Sequence, residues 1–198
     1  MQPPDRLILA SSSRYRAEIL KKLELRFEAV APRVDEARLP DETPEQLVGR
    51  LARLKAQAVA ATEPHALIIG SDQVAVCGGE VLGKPGTMDN AEAQLSRLSG
   101  QTVMFLTGLC LLNSRTGDSS VKVVETPVVF RPLTAVEISD YVQRERPLDC
   151  AGAFKSEGLG ITLFESIGGT DPDALIGLPL IELCTMLRSQ GIVILGKS

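Results

Sequence analysis

The sequence predicts a mixed α/β fold with long central strands, and two observations predict it. Strand-like apolar runs alternate with amphipathic helical patterns along the chain, with no repeat and no low-complexity linker. The 198 residues are 44% apolar and 23% charged, a composition of soluble, core-forming proteins rather than disordered or fibrous ones. At this length folding hides roughly 70% of the extended-chain surface, enough for a real core.

The elements follow in order. RLILASS (6–12) reads as a buried strand feeding a helix, SRYRAEILKKL (13–23), whose apolar face is Ile19, Leu20 and Leu23. RFEAVAP (26–32) reads as a second strand leading into an acidic loop, 33–42. Thr43 and Gln46 fit a capping box, Pro44 suits the first helical position, and Leu47, Leu51, Leu54 and Ala58 form a stripe. HALIIGSDQVAVC (65–77) reads as strand, polar interruption, then more strand, turning at Gly78-Gly79 into EVLGKP. A helix over 88–99 stops at Gly100, and two long strands (102–114 and 120–133) hinge at the turn Arg115–Asp118. Thr134 and Glu137 cap a helix carrying Ile138, Tyr141 and Val142; residues 149–169 mix glycines into a strand-like run; a last helix falls near 179–191.

Composition excludes several functions. One histidine, His65, rules out a multi-histidine metal site and reads as a solvated loop residue. It leaves a serine triad a single candidate base, with no nucleophile-elbow sequence beside it. A net charge of -4 argues against a nucleic-acid partner. The longest nearly apolar run, VMFLTGLCLL, is half of the roughly 20 residues a membrane helix needs. The opening residues lack a basic-then-apolar leader pattern, and the four dispersed cysteines form no C-x-x-C pair. Reduced, mostly buried thiols in the cytoplasm are the expectation. Catalysis must then rest mostly on carboxylates, lysines, arginines and backbone amides.

Four clusters carry such chemistry. Gly78-x-x-x-x-Gly83-Lys84 has P-loop spacing, but Pro85 stands where the magnesium-binding hydroxyl belongs, and the segment follows a hairpin-like turn. Lys84 is either a solvated lysine or a point charge for phosphate. Ser11-Ser12-Ser13-Arg14-Tyr15-Arg16 combines hydroxyls, helix-terminal amides and guanidinium groups, which suits an anion; a plain serine cap with two exposed arginines is the simpler reading. Asp72, within Gly70-Ser71-Asp72-Gln73, either ends a strand or projects into a cleft. With Asp35-Glu36 it offers the hard oxygen ligands that magnesium or manganese prefers. Lys155 and Glu157 have strand spacing and are expected on one face, where a surface charge pair would also account for them.

Taken in order, LILASSSRYRAEIL, VDE, RLARLKA, IIGSDQV, LGKP, TGL, CAGAFKSEGLG and GLPL resemble the Maf family of nucleoside-triphosphate pyrophosphatases over almost the whole chain. The resemblance implies a single Maf-like domain over residues 1–198. Its fold would be of the Maf/inosine-triphosphatase type, an elongated mixed sheet with two lobes flanking a substrate cleft. It implies a homodimer, a divalent metal (magnesium, manganese or cobalt), and cleavage of a nucleoside triphosphate between the α- and β-phosphates. It assigns catalysis to Asp72, phosphate binding to Ser11, Arg16, Lys55, Lys84 and Lys155, and the metal to Glu36 and Asp72. Which carboxylate is base and which is ligand stays open.

Tyr15, Gln73 and Glu157 stand where the dTTP/UTP-cleaving branch has arginine, threonine and glutamine, so the chain resembles the 7-methyl-GTP branch. Chemistry agrees, because a cationic 7-methylguanine stacks on an aromatic ring and presents two donors to a glutamate. Hydrolysis of 7-methyl-GTP to 7-methyl-GMP and pyrophosphate, clearing a modified nucleotide, is the expected activity. The alternatives are a dTTP/UTP pyrophosphatase of the same family, or a nucleotide-binding regulatory module linked to cell division.

Overall fold

The computed structural model describes residues 6–196. Its elements are β1 (Arg6–Ala10), α1 (Arg14–Lys21), β2 (Glu28–Val30), α2 (Pro44–Ala60), β3 (Ala66–Cys77), β4 (Glu80–Leu82), α3 (Met88–Leu98), β5 (Thr102–Asn113), β6 (Ser119–Phe130), α4 (Ala135–Glu145), β7 (Phe164–Ile167) and α5 (Leu180–Ser189). The strands form one sheet in the order β2-β1-β3-β5-β6-β7, with β4 paired to β3. Pairing is parallel for β1–β2 and β1–β3 and antiparallel for β3–β4 and β6–β7, so the expected mixed α/β architecture is present. Among the described residues no helix is long and apolar enough to cross a membrane.

The chain divides into two compact units: Met1–Gln73, Thr107–Val124 and Asp171–Ser198 form one, and Val74–Leu106 with Glu125–Thr170 the other. In the first, strand parity sorts the core. Ile8, Ala10 and Ile68 pack beneath α2 against Ala52, Ala56 and Val59, whereas Leu9, Leu67 and Ile69 pack with Leu20 of α1 and Leu183 of α5. In the second, Phe154 meets Phe105, Phe130 and Phe164 edge-on, with ring centroids 5.2, 5.5 and 4.8 Å away.

Helix starts follow the sequence closely. Thr43 accepts from the Gln46 amide while the Gln46 side chain accepts from Thr43 N–H, and Thr134 with Glu137 does the same for α4. The Gly78-Gly79 turn, with φ of 58° and 84°, joins β3 to β4, which disposes of the P-loop spacing.

Four expectations need correction. The Ser71-Asp72-Gln73 segment does not interrupt its strand: β3 runs unbroken from Ala66 to Cys77, because each polar side chain there finds a buried partner. The buried face of α2 is Leu47, Val48, Leu51, Ala52, Lys55, Ala56 and Val59, with Leu54 and Ala58 only half-buried. Glycines in the sheet set that rotation. A Cβ on Gly70 would lie 2.0 Å from Ala52 O, and one on Gly108 2.2 Å from Val48 O, so the helix backbone rests directly on both strands. Residues 149–163 are not strand-like but coil through two 3₁₀ segments, Ala151–Ala153 and Leu159–Leu163, with Gly152 at φ 77° and Ala153 at φ 58°. Finally, all four cysteines are free thiols, but only Cys110 is fully buried.

Candidate active site

β1 and β3 run parallel with Ala10 opposite Gly70, so Ser11 and the Ser71-Asp72 pair follow at matching positions. The carboxyl end of parallel strands is where open α/β sheets place ligands. Asp72 shares the parity of Ile68 and Gly70 and therefore faces α2. There Lys55, on the buried face of that helix, gives its ammonium to Asp72 Oδ1 at 2.6 Å and to Glu36 Oε1 at 2.9 Å. Lys55 and Asp72 are 6% and 7% exposed, whereas Glu36 reaches in from the surface loop. Three of the expected residues thus meet at one point, and the meeting depends on how α2 lies on Gly70.

α1 begins beside this group. Ser13 is its N-cap, and Ser11 Oγ accepts from the Ser13 amide at 3.1 Å. Arg16 donates from Nε to Gly177 O at 2.8 Å. Burial lowers the Arg16 pKa below the usual guanidinium range, while the charges of Asp72 and Glu36 act the other way. An arginine in the first helical turn, opposed by the helix dipole, is thereby offset by two carboxylates. Tyr15 lies under Arg14, whose guanidinium carbon is 4.9 Å from the ring centroid and whose Nη2 donates to the Tyr15 hydroxyl at 3.0 Å. Gln73 takes the opposite parity from Asp72. Its amide nitrogen donates to Thr107 Oγ1, Ala174 O and Leu175 O at 2.9, 2.8 and 3.1 Å, so its donors are taken up by one side chain and two backbone carbonyls of the protein itself.

The remaining expected residues belong to the second unit. Lys155 Nζ donates to Glu145 O at 3.0 Å, and the Lys155 amide donates to the Tyr141 hydroxyl at 3.0 Å. Burial raises the Tyr141 pKa well above the usual phenol range. Lys155 and Glu157 do not share a strand face: the chain turns between them, Gly158 N donating to Lys155 O at 3.2 Å, and Glu157 is exposed. Lys84 is exposed on a loop whose carbonyls are tied to α3, Asn90 Nδ2 donating to Pro85 O and Gln94 Nε2 to Gly83 O.

Sequence reasoning missed the residues that hold these groups. Glu42 is buried, accepts from Arg50 Nε and Nη2 at 2.5 and 2.8 Å and from Leu39 N at 3.1 Å, and so pins the loop that carries Glu36. The Arg50 guanidinium holds the Glu42 carboxyl down at about 2. Asp171, 3% exposed, accepts from the amides of Asp173, Ile181 and Glu182, joining the turn before α5 to its first residues. Only its place in an Asp-Pro-Asp turn, ahead of a helix without a capping residue, hints at that role. Glu145 and Tyr141 read from sequence as ordinary residues of an amphipathic helix.

Among the described residues no three His, Cys, Asp or Glu side chains gather as a complete metal cage. Glu36 and Asp72 nevertheless form a two-carboxylate oxygen pair facing one cation, a donor set that fits a divalent ion sharing its remaining positions with phosphate oxygens.

The model of the Maf family (Maf-like protein) matches residues 6–190 of this sequence. The chain belongs to the Maf family. Members similar to it include the 7-methyl-GTP pyrophosphatase of Nitrosococcus oceani, 54% identical over 192 residues (97% of this chain, 96% of that protein). The protein of the same description from Idiomarina loihiensis is 54% identical over 193 residues, covering 96% of this chain and 98% of that protein. Among solved structures, the Ham1 protein of Staphylococcus aureus aligns with a TM-score of 0.46 and 16% identity, over 64% of this chain and 72% of that one.

Proposed function

We propose that this Maf-family chain hydrolyses 7-methyl-GTP to 7-methyl-GMP and pyrophosphate, removing a modified nucleotide from the pool. The 54% identity, over nearly full length, to two Maf proteins described as 7-methyl-GTP pyrophosphatases carries the substrate assignment. The Lys55–Asp72–Glu36 cluster beside Arg16 supports the chemistry.

Glu36 and Asp72 would hold a divalent cation, magnesium, manganese or cobalt. When bound, such an ion neutralises phosphate charge and acidifies water. Asp72 orients or deprotonates the water that attacks the α-phosphorus; the bond from that phosphorus to the bridging oxygen breaks, and pyrophosphate leaves with that oxygen. Arg16, Lys55, Lys84 and Lys155, with Ser11 at the helix start, bind the triphosphate and stabilise charge as it develops. Tyr15 and Glu157 select the base: the ring stacks on a cationic purine, and the exposed carboxylate accepts from the two donors of guanine.

The direct test measures pyrophosphate release from a nucleotide panel with each of the three metals. Release from 7-methyl-GTP at least about tenfold faster than from UTP, dTTP or GTP is expected, a difference of about 1.4 kcal/mol in the barrier. Equal or faster turnover of UTP supports the pyrimidine reading instead, and nucleotide binding without release supports a regulatory module. Glu157→Gln together with Tyr15→Arg is expected to move the preference towards UTP by about tenfold or more, because a site that mismatches a base edge loses hydrogen bonds of that order. An unchanged ratio removes Tyr15 and Glu157 from base selection.

A further inference from the structure

Gln73 stands in the site motif, yet its side chain turns away from Asp72. β3 places Ser71 and Gln73 on the face occupied by the Ala174–Gly177 turn, and Asp72 on the face of α2. Gln73 Nε2 donates to Ala174 O and Leu175 O, Thr107 Oγ1 donates to Ala174 O at 2.9 Å, and Ser71 Oγ donates to Gly177 O at 2.8 Å. Ser71 and Thr107 are both fully buried. The carbonyl of Gly177 is also the acceptor for Arg16 Nε. That glycine sits at φ 112°, and a Cβ there would lie 3.3 Å from Arg16 Nε, so the backbone approaches the guanidinium closely.

A guanidinium is planar, so fixing Nε–H on one carbonyl fixes the direction of both Nη groups. Those Nη donors are what Arg16 offers an anion. The chain of contacts is therefore continuous: Gln73 holds the turn, the turn presents the Gly177 carbonyl, and that carbonyl aims Arg16.

We infer that Gln73 is a positioning residue for Arg16, acting through the Ala174–Gly177 turn, and that its influence falls on the triphosphate rather than on the base. This rests on the reading of Arg16 as a phosphate ligand given above. It differs from the role that the motif resemblance suggests for Gln73, which is selection of the base.

The experiment uses the full chain and inorganic tripolyphosphate, which has no base. Gln73→Met keeps the length and removes the donors; Gln73→Glu, nearly isosteric, serves if the first variant does not fold. Either is expected to weaken tripolyphosphate binding about tenfold, and to weaken it no more than about twofold further once Arg16 is already lysine, as coupled residues do. The ratio of kcat/KM for 7-methyl-GTP over UTP stays within about twofold of wild type, since phosphate contacts are common to both substrates. Losses that add fully in the Arg16→Lys background overturn the inference, because a purely structural role adds. So does a shift of more than about fivefold in the nucleotide ratio with unchanged tripolyphosphate affinity. If wild type binds tripolyphosphate but hydrolyses no nucleotide, the proposed reaction fails while the coupling is still read. If it binds no tripolyphosphate, the Arg16 anion site and this inference fail together.

Discussion

Lys55 is the residue on which the candidate site turns. An ammonium 6% exposed is costly to desolvate, and it is held here by two carboxylates, one buried and one at the surface. Replacing Lys55 by methionine leaves Asp72 buried without its cation. A loss of about 3 kcal/mol in unfolding free energy is expected by urea titration, the usual cost of breaking a buried pair. Added divalent cation should restore part of that loss, since the two carboxylates then regain a positive partner; no recovery would argue that the pair does not hold metal. Asp72→Asn keeps the shape and removes the charge. Its kcat at saturating metal should fall by about a hundredfold or more if Asp72 moves a proton, and turnover within about threefold of wild type sinks that role.

At the scale of elements, the decisive contact is α2 against the sheet. Gly70 and Gly108 carry no side chain where the helix carbonyls of Ala52 and Val48 come closest, and Lys55 follows Ala52 by three residues on the same face. Gly70→Ala puts a methyl group 2.0 Å from Ala52 O, so backbone must move. The expected cost is about 2–3 kcal/mol, read by thermal or urea unfolding, as for other overpacked cores. Because the displaced turn of α2 carries Lys55, the surviving folded protein should also show a lowered kcat/KM. Full activity in a destabilised variant would mean that the helix position and the site are uncoupled.

Across the whole molecule, each unit holds a carboxylate below its ordinary range. The Arg50 guanidinium holds Glu42 at about 2, and the Thr134 amide, with Arg131 and the Thr134 hydroxyl, holds Glu137 at about 2. A carboxylate depressed on folding stabilises the folded state above its unfolded pKa, and that stability disappears as pH falls through the folded value. The melting temperature should therefore be flat above about pH 5 and fall steeply between about pH 4.5 and 2. Glu42→Gln with Glu137→Gln should flatten that fall; an unchanged slope places the acid sensitivity elsewhere. At the other end of the scale, burial pushes the Cys110 thiol up to about 11 and Cys150 to about 12, so neither carries appreciable thiolate at neutral pH.

What depends on near neighbours in the chain was legible without the fold. Capping boxes at Thr43 and Thr134, the Gly78-Gly79 turn and the alternation of strands and helices all lie within a few residues of chain, where composition and spacing act directly. The sequence also named the residues of the Lys55, Asp72 and Glu36 cluster, through ordered motifs rather than through any contact it could predict. Tertiary structure alone decided which way those side chains point. Lys55 meets Asp72 across 17 positions only because two glycines let α2 rest on the sheet in one rotation. Gln73 reaches Ala174 across 101 positions, and its turn away from the carboxylates follows from strand parity once β3 proves continuous. A polar triplet in an apolar strand reads as a break when its partners are unseen. Packed against a helix on one face and a turn on the other, the same triplet is ordinary strand, because every donor and acceptor it buries is met.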